Sequence, residues 1–180
     1  MSKFIKYYDG TQNFGFNKIL PAGGGEYYAL GSEVLSSDSL MFAKIDANGN
    51  ILFSKRHTLA GDTFHIADAT LAPNGEIVAC GIKTIAGSSN TEKLMMRFFP
   101  NGDLKWAVKY PETPPSNSLS EPRIVHLGSD KYMAVWTKDI GRLVAMVMDG
   151  NGVALNSKQI FSSSGTITHA SITLAGSNCV

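Results

Sequence analysis

Apolar and polar positions along the chain fall into short alternating runs bounded by Gly, Asn, Asp and Pro, the period of two that predicts strands. The clearest phrase is "KIDANGNILFSK", residues 44–55, a strand-like run broken by Asn-Gly and resumed beyond it. It returns as "RFFPNGDLKWAVK" and as "VMDGNGVALNSK". Setting Asn48-Gly49, Asn101-Gly102 and Asn151-Gly152 in register gives steps of 53 and 50 residues. The runs "LMFAKID", "LMMRFFP" and "LVAMVMD" lie upstream, and "ILFSKRH", "LKWAVKY" and "VALNSKQI" downstream. Two such runs joined by Asn-Gly predict a hairpin with a type I′ turn, which needs positive φ at both central residues.

A second hairpin precedes the first in every copy. "NKILPAGGGEYYALG", "DATLAPNGEIVACG" and "IVHLGSDKYMAVW" each place a strand ending in Leu (Leu20, Leu71, Leu127) before a strand with Ala at one position (Ala29, Ala79, Ala134). One unit is therefore four strands, A to D, in roughly 50 residues. The B-to-C links "SEVLSSDS" and "KTIAGSSNTE" are polar and Ser-rich, "TKDIG" is shorter, and the D-to-A links, such as "PETPPSNSLSEP", vary. "FIKYY" at 4–8 matches the D strands, and "THASITLAGSNCV" matches an A strand as far as the start of B. The expected division is a lone D strand at 1–10, units at 11–59, 60–112 and 113–162, and the start of a fourth at 163–180.

Four antiparallel strands per unit of this length point to blades arranged radially. A sandwich does not require one unit three times, and a solenoid has a shorter period of roughly 20 to 30 residues. The chain resembles bacterial β-propeller repeat proteins whose blades carry a D-x-N-G-x-x-x-W hairpin. The resemblance rests on Asp46, Asn48, Gly49 and Phe53, on Asn101, Gly102 and Trp106, and on Asp149, Asn151 and Gly152, while Phe99 and Asn156 depart from it. It implies an all-β propeller of three complete four-stranded antiparallel blades plus a leading D strand and a trailing A strand. Because closed rings have about four to eight blades, the expectation is a piece of a longer propeller, with self-assembly of copies as the alternative. Such a resemblance implies a fold and no activity.

At 180 residues with 43% hydrophobic and 17% charged content, the chain suits one packed domain. Sixteen basic against 15 acidic side chains leave a net charge of +1, which provides no field for nucleic acid or an anionic membrane. "MSKFIKYYDG" does not read as a secretory signal, and no apolar run of about 18 residues occurs. The expected location is therefore cytoplasmic, or outside the cell by a leaderless route, with no membrane insertion. Cys80 and Cys179 do not form a disulfide framework, and Cys80 reads as a small buried hydrophobe.

Candidate chemistry is sparse. "DANGN" imitates the opening of a calcium loop with Asp46, Asn48 and Asn50, but Ile51 stands where Gly is needed and His57 where a bidentate Glu is needed. "PAGGGEYY" lacks the Gly-Lys-Ser/Thr of a phosphate loop, and "GIKTIAGSSNTEK" has no nucleophile elbow. His57, His65, His126 and His169 lack metal spacing; the last three are expected on A strands in different columns. Asp38, Asp62, Asp68 and Glu121 read as turn and loop residues rather than a glycosidase pair. Among the aromatics Tyr27, Tyr28, Phe53, Trp106, Tyr132 and Trp136, the shared column of Phe53 and Trp106 favours packing between units over sugar stacking. No catalytic, cofactor-binding or metal-ligating residue is assigned, and no cofactor is implied. The leading expectation is a non-enzymatic scaffold or binding module whose variable loops meet a protein or glycan. The alternatives are a polysaccharide hydrolase or lyase with its site in other blades, a carbohydrate-binding propeller, and cargo of a bacterial secretion or injection particle.

Overall fold

The computed structural model describes residues 14–33, 39–58, 63–84, 91–111, 120–138, 141–162, 167, 169–175 and 178–179. Twelve of its strands form three four-stranded antiparallel sheets, each in plain sequence order. Sheet 1 holds β1 (Phe14–Gly23), β2 (Glu26–Glu33), β3 (Ser39–Ile45) and β4 (Ile51–Thr58); sheet 2 holds β5 (Thr63–Leu71), β6 (Ile77–Thr84), β7 (Thr91–Phe98) and β8 (Leu104–Tyr110). Sheet 3 holds β9 (Arg123–Gly128), β10 (Lys131–Lys138), β11 (Arg142–Asp149) and β12 (Ala154–Ser162). A two-residue ladder, β13 (Leu174–Ala175) with β14 (Asn178–Cys179), is all the pairing described in the expected trailing A strand. The expected D strand at 1–10 lies outside the described residues, among which there is no helix.

Ladder registers test the repeat residue by residue. The Ala column holds: Ala29, Ala79 and Ala134 pair with Ala43, Met96 and Met146, and all three alanines are buried. The Leu column does not hold. Leu20 pairs with Tyr28, Leu71 pairs with Ile77, and Leu127 falls in a bulge between His126 and Gly128. The A-to-B turns differ in length, which shifts the A strands against one another.

The turns also correct the type I′ expectation. At 46–50, 99–103 and 149–153 the loop has three residues. The N–H of Gly49, Gly102 or Gly152 donates to the carbonyl of Asp46, Phe99 or Asp149, and within each loop only that Gly has positive φ. Two-residue turns with both central φ positive occur instead between A and B, at Gly24-Gly25 and at Ser129-Asp130.

Sheets 1 and 2 pack through Leu30, Leu40 and Phe42 against Ile66, Ile77, Leu94 and Phe98, and sheets 2 and 3 through Val78, Cys80 and Met95 against Tyr132, Ala134, Trp136 and Met148. Among the described residues no backbone ladder joins one sheet to the next. Their association therefore rests on side chains, about 1.5–3 kcal/mol for each large one fully buried. Accordingly β6 and β7 are buried along almost their whole length, while the outer strands β4 and β8 alternate in exposure. Neighbouring sheets meet at their first strands, β1 with β5 and β5 with β9.

A recurring clasp fastens the D strands β4 and β8 to the C-to-D turn of the unit that follows each. A Cβ added to Gly102 would lie 3.0 Å from Phe42 and 3.2 Å from Phe53, and one added to Gly152 3.0 Å from Trp106. His57 Nε2 lies 2.9 Å from the Gly102 carbonyl, and Tyr110 OH, one repeat later, donates to the Gly152 carbonyl. Burial and nearby Asp149 push the Tyr110 hydroxyl up to about 12, so it remains a donor at neutral pH. Trp106 Nε1 donates to the Gly150 carbonyl at 3.0 Å. Trp106→Phe is expected to lose that bond but keep the packing, lowering stability by about 1 kcal/mol. Trp106→Asn, the residue found at Asn156, is expected to cost about 3 kcal/mol. Urea unfolding of both variants checks the order, and equal losses would contradict the clasp.

Candidate functional site

The suspected ion loop is a self-satisfied turn. Asp46 Oδ1 accepts from the backbone N–H of Asn48 and of Asn50, both at 2.8 Å, and Oδ2 accepts from Asn50 Nδ2 at 2.8 Å. Asp149 repeats this with the N–H groups of Asn151 and Val153 at 2.9 Å. Where Phe99 replaces the Asp, Asn101 and Asp103 bond each other instead, and Asp103 also takes Lys55 from sheet 1 at 2.5 Å. Among the described residues no group of three His, Cys, Asp or Glu is placed to hold a metal ion.

A polar row crosses the first strands of the three sheets. Lys18 Nζ stands 2.6 Å from Asp68 Oδ1, while Asp68 Oδ2 accepts the N–H of Ile124 at 3.1 Å. Arg123 donates to the Ala67 carbonyl at 2.8 Å and pairs with Glu121 at 2.9 Å. His65 Nε2 lies 2.9 Å from Asn17 Nδ2 and 3.1 Å from Glu121 Oε1, so its tautomer decides which neighbour it serves. Asp68 is thus a buried strand residue in β5 rather than the expected loop residue, because the bulge between Ile66 and Asp68 turns it towards both flanking sheets. Asp38 and Asp62 lie outside the described residues. His65 and His126 are on A strands as expected, His57 is on β4, and His169 is not in a strand.

Deeper between sheets 2 and 3, Arg97 is buried. It donates to Glu76, to Asp130 Oδ2 at 3.0 Å and to the Gly150 carbonyl at 2.6 Å; Lys105 also reaches Glu76, at 2.9 Å. Burial raises the Glu76 carboxyl, but hydrogen bonds from Lys105, Asn74 and Arg97 outweigh it and hold the group below its ordinary range. Cys80 donates to the Pro122 carbonyl at 3.3 Å, and burial, reinforced by Asp68, pushes its thiol well up. It is a packed thiol, not a nucleophile. The Arg97 network escaped sequence reasoning, although an arginine inside the apolar run "LMMRFF" was its visible signal.

Towards their outer strands the sheets leave clefts. One of about 220 Å³ lies between sheets 1 and 2, with Arg56, His57, Phe64 and Leu104 in its wall. Another of about 250 Å³ lies on sheet 3 beside the end of β8, among Pro111, Trp136, Lys138, Arg142, Ser157 and Gln159. Of these positions only His57, weighed as a metal ligand, and Trp136, weighed as a sugar-stacking aromatic, were considered for ligand chemistry from the sequence.

No family model matches the chain, and no curated protein matches it. Among solved structures it is similar to a candidate hydrolase from Bacteroides ovatus, at 13% identity and a TM-score of 0.44, over 83% of this chain. The match spans 45% of that protein's chain. A likeness at this level transfers no chemistry.

Proposed function

We propose that the chain is a non-enzymatic β-propeller module that works as a binding platform, its B-to-C and D-to-A connections meeting a protein or glycan. The observation that carries this reading is the use made of the ionisable side chains between the sheets. Lys18, Asp68, Arg123, Glu76, Arg97 and Asp130 each fix one sheet to the next or brace a residue that does. Catalysis needs groups held towards a substrate; these face one another. The meeting of neighbouring sheets at β1, β5 and β9, with clefts farther out, supports the radial arrangement. Against this constant frame the connections differ in length and composition between units, as binding loops on a rigid support do.

Replacing 34–38, 85–90 and 112–119 with Gly-Ser segments of equal length is expected to leave the far-ultraviolet circular dichroism spectrum unchanged. The same replacement should abolish retention on a glycan array or on a protein partner identified with the parent chain. Turnover of a polysaccharide or ester panel, lost on a single side-chain change, would overturn the reading.

A further inference from the structure

The two clefts occupy the same place in successive units, and the repeat shows what is particular to each. Counting from the Asn-Gly pairs, Thr58 corresponds to Pro111 and Ala107 to Ser157. The ladders agree, pairing Met96 with Ala107 and Met146 with Ser157. Thr58 and Ala107 line the cleft between sheets 1 and 2; Pro111 and Ser157 line the one on sheet 3. Their chemistry differs. The cleft on sheet 3 presents Lys138, Arg142, Ser157 and Gln159, whereas in the other, sheet 2 contributes Phe64, Met96, Phe98, Leu104 and Ala107. The apolar lining is therefore a property of this cleft and not of the architecture.

Phe64, Met96 and Phe98, with Leu40 of sheet 1, are buried core residues, so packing fixes this part of the wall. His57 closes the sheet 1 side, its ring centroid 5.5 Å from that of Phe98 and its Nε2 2.9 Å from the Gly102 carbonyl oxygen. Leu104 and Ala107 are exposed, which leaves apolar surface that a ligand would remove from water. The cleft holds about 220 Å³. A cavity of about 150 Å³ lined by Leu, Ile and Phe takes up benzene, so one aromatic ring fits here. The rings of Phe64, Phe98 and His57 and the Met96 thioether favour an aromatic ligand over an aliphatic one. Arg56 in the wall is engaged with Ser39, and no Asp or Glu is among the lining residues, so the site offers ring contacts rather than a counter-ion.

We propose that the cleft between sheets 1 and 2 binds a small molecule with one uncharged aromatic ring, seated against Phe64, Met96 and Phe98. This goes beyond the platform reading and does not require it. The platform uses the connections between strands, whereas this site is walled by residues of β3, β4, β5, β7 and β8.

Titration of the full chain with indole and with phenol, and with cyclohexanol as the aliphatic reference, tests it by calorimetry and by the methionine methyl resonances. Indole or phenol is expected to saturate one site and to shift the Met96 methyl by its ring current, leaving Met146, the counterpart in sheet 3, in place. Ala107→Phe, which fills the cleft from an exposed position, should weaken that binding about tenfold or more. Ser157→Phe, the same change in the other cleft, should leave it within about twofold. Unfolding midpoints measured alongside establish that both variants fold, and the Met96 shift locates the ligand in the parent chain without either. No saturation by indole or phenol, equal losses in the two variants, or a shift at Met146 in place of Met96 would overturn the site, and cyclohexanol binding as tightly as phenol would overturn its aromatic assignment.

Discussion

Gly81→Ala is expected to destabilise the protein by about 3 kcal/mol or more, at or beyond the upper end for overpacking. The sign is the informative part. Glycine inside a strand is ordinarily worse than alanine by roughly 0.5–1 kcal/mol, because it loses more freedom on folding. Here a Cβ at position 81 would lie 2.0 Å from the His65 carbonyl oxygen and 3.2 Å from Ile66 Cα, and backbone cannot move aside as a flexible side chain can. The crowding comes from the bulge in β5 between Ile66 and Asp68. Sheet 1 repeats it, with a bulge between Phe16 and Lys18 and a Cβ at Gly31 only 1.9 Å from the Gly15 oxygen. In sheet 3 the irregularity sits at the turn end, beside Lys131 and Tyr132, and the equivalent position accepts a tryptophan, Trp136. Urea unfolding followed by circular dichroism measures the effect, and a midpoint for Gly81→Ala at or above the parent's would sink the account.

That bulge also marks how far the fold was legible. The strand count, their order and the Ala column follow from alternation and from the Asn-Gly pairs, since a period of two and a recurring turn are local features. Asp68 was misplaced because a bulge inserts one residue and reverses which face each following side chain occupies; nothing in "FHIADATL" announces that insertion. The type I′ error has a similar origin. Asn-Gly fits a two-residue turn and equally the last two residues of a three-residue one, and the choice is made by register, seen in Ile45 pairing with Ile51. The candidate site was less legible still. Arg97 is a stray charge in an apolar run until the sheets bring Glu76, Asp130 and the Gly150 carbonyl to it.

The second large effect belongs to Arg97. Arg97→Met is expected to cost about 3–5 kcal/mol, the range for removing one partner of a buried ion pair. Its side chain is 3% exposed, and its removal withdraws donors from Glu76, Asp130 and the Gly150 carbonyl at once, leaving Lys105 as the cation at Glu76. The double variant Arg97→Met, Glu76→Gln should recover part of the loss, because the stranded carboxylate goes with its partner. Sheet 3 already carries an apolar residue, Val147, at the equivalent position, so the architecture does not demand a charge there.

Acid gives an independent reading of the same network. The Asp130 carboxyl is held down by the Arg97 hydrogen bond, against burial and with help from Tyr132, and Glu76 is held down as described above. Carboxyls lowered by folding contribute stability that is complete above their unfolded values near pH 4 and is lost as the pH falls through the lower folded values. The parent should therefore lose stability on going from about pH 5 to below pH 4, and Arg97→Met should lose less over the same interval. Urea midpoints at neutral and acid pH compare the two proteins. Parallel acid losses would mean that Arg97 stabilises by filling space between the sheets, and the charge network would have to be abandoned as the reason for its burial.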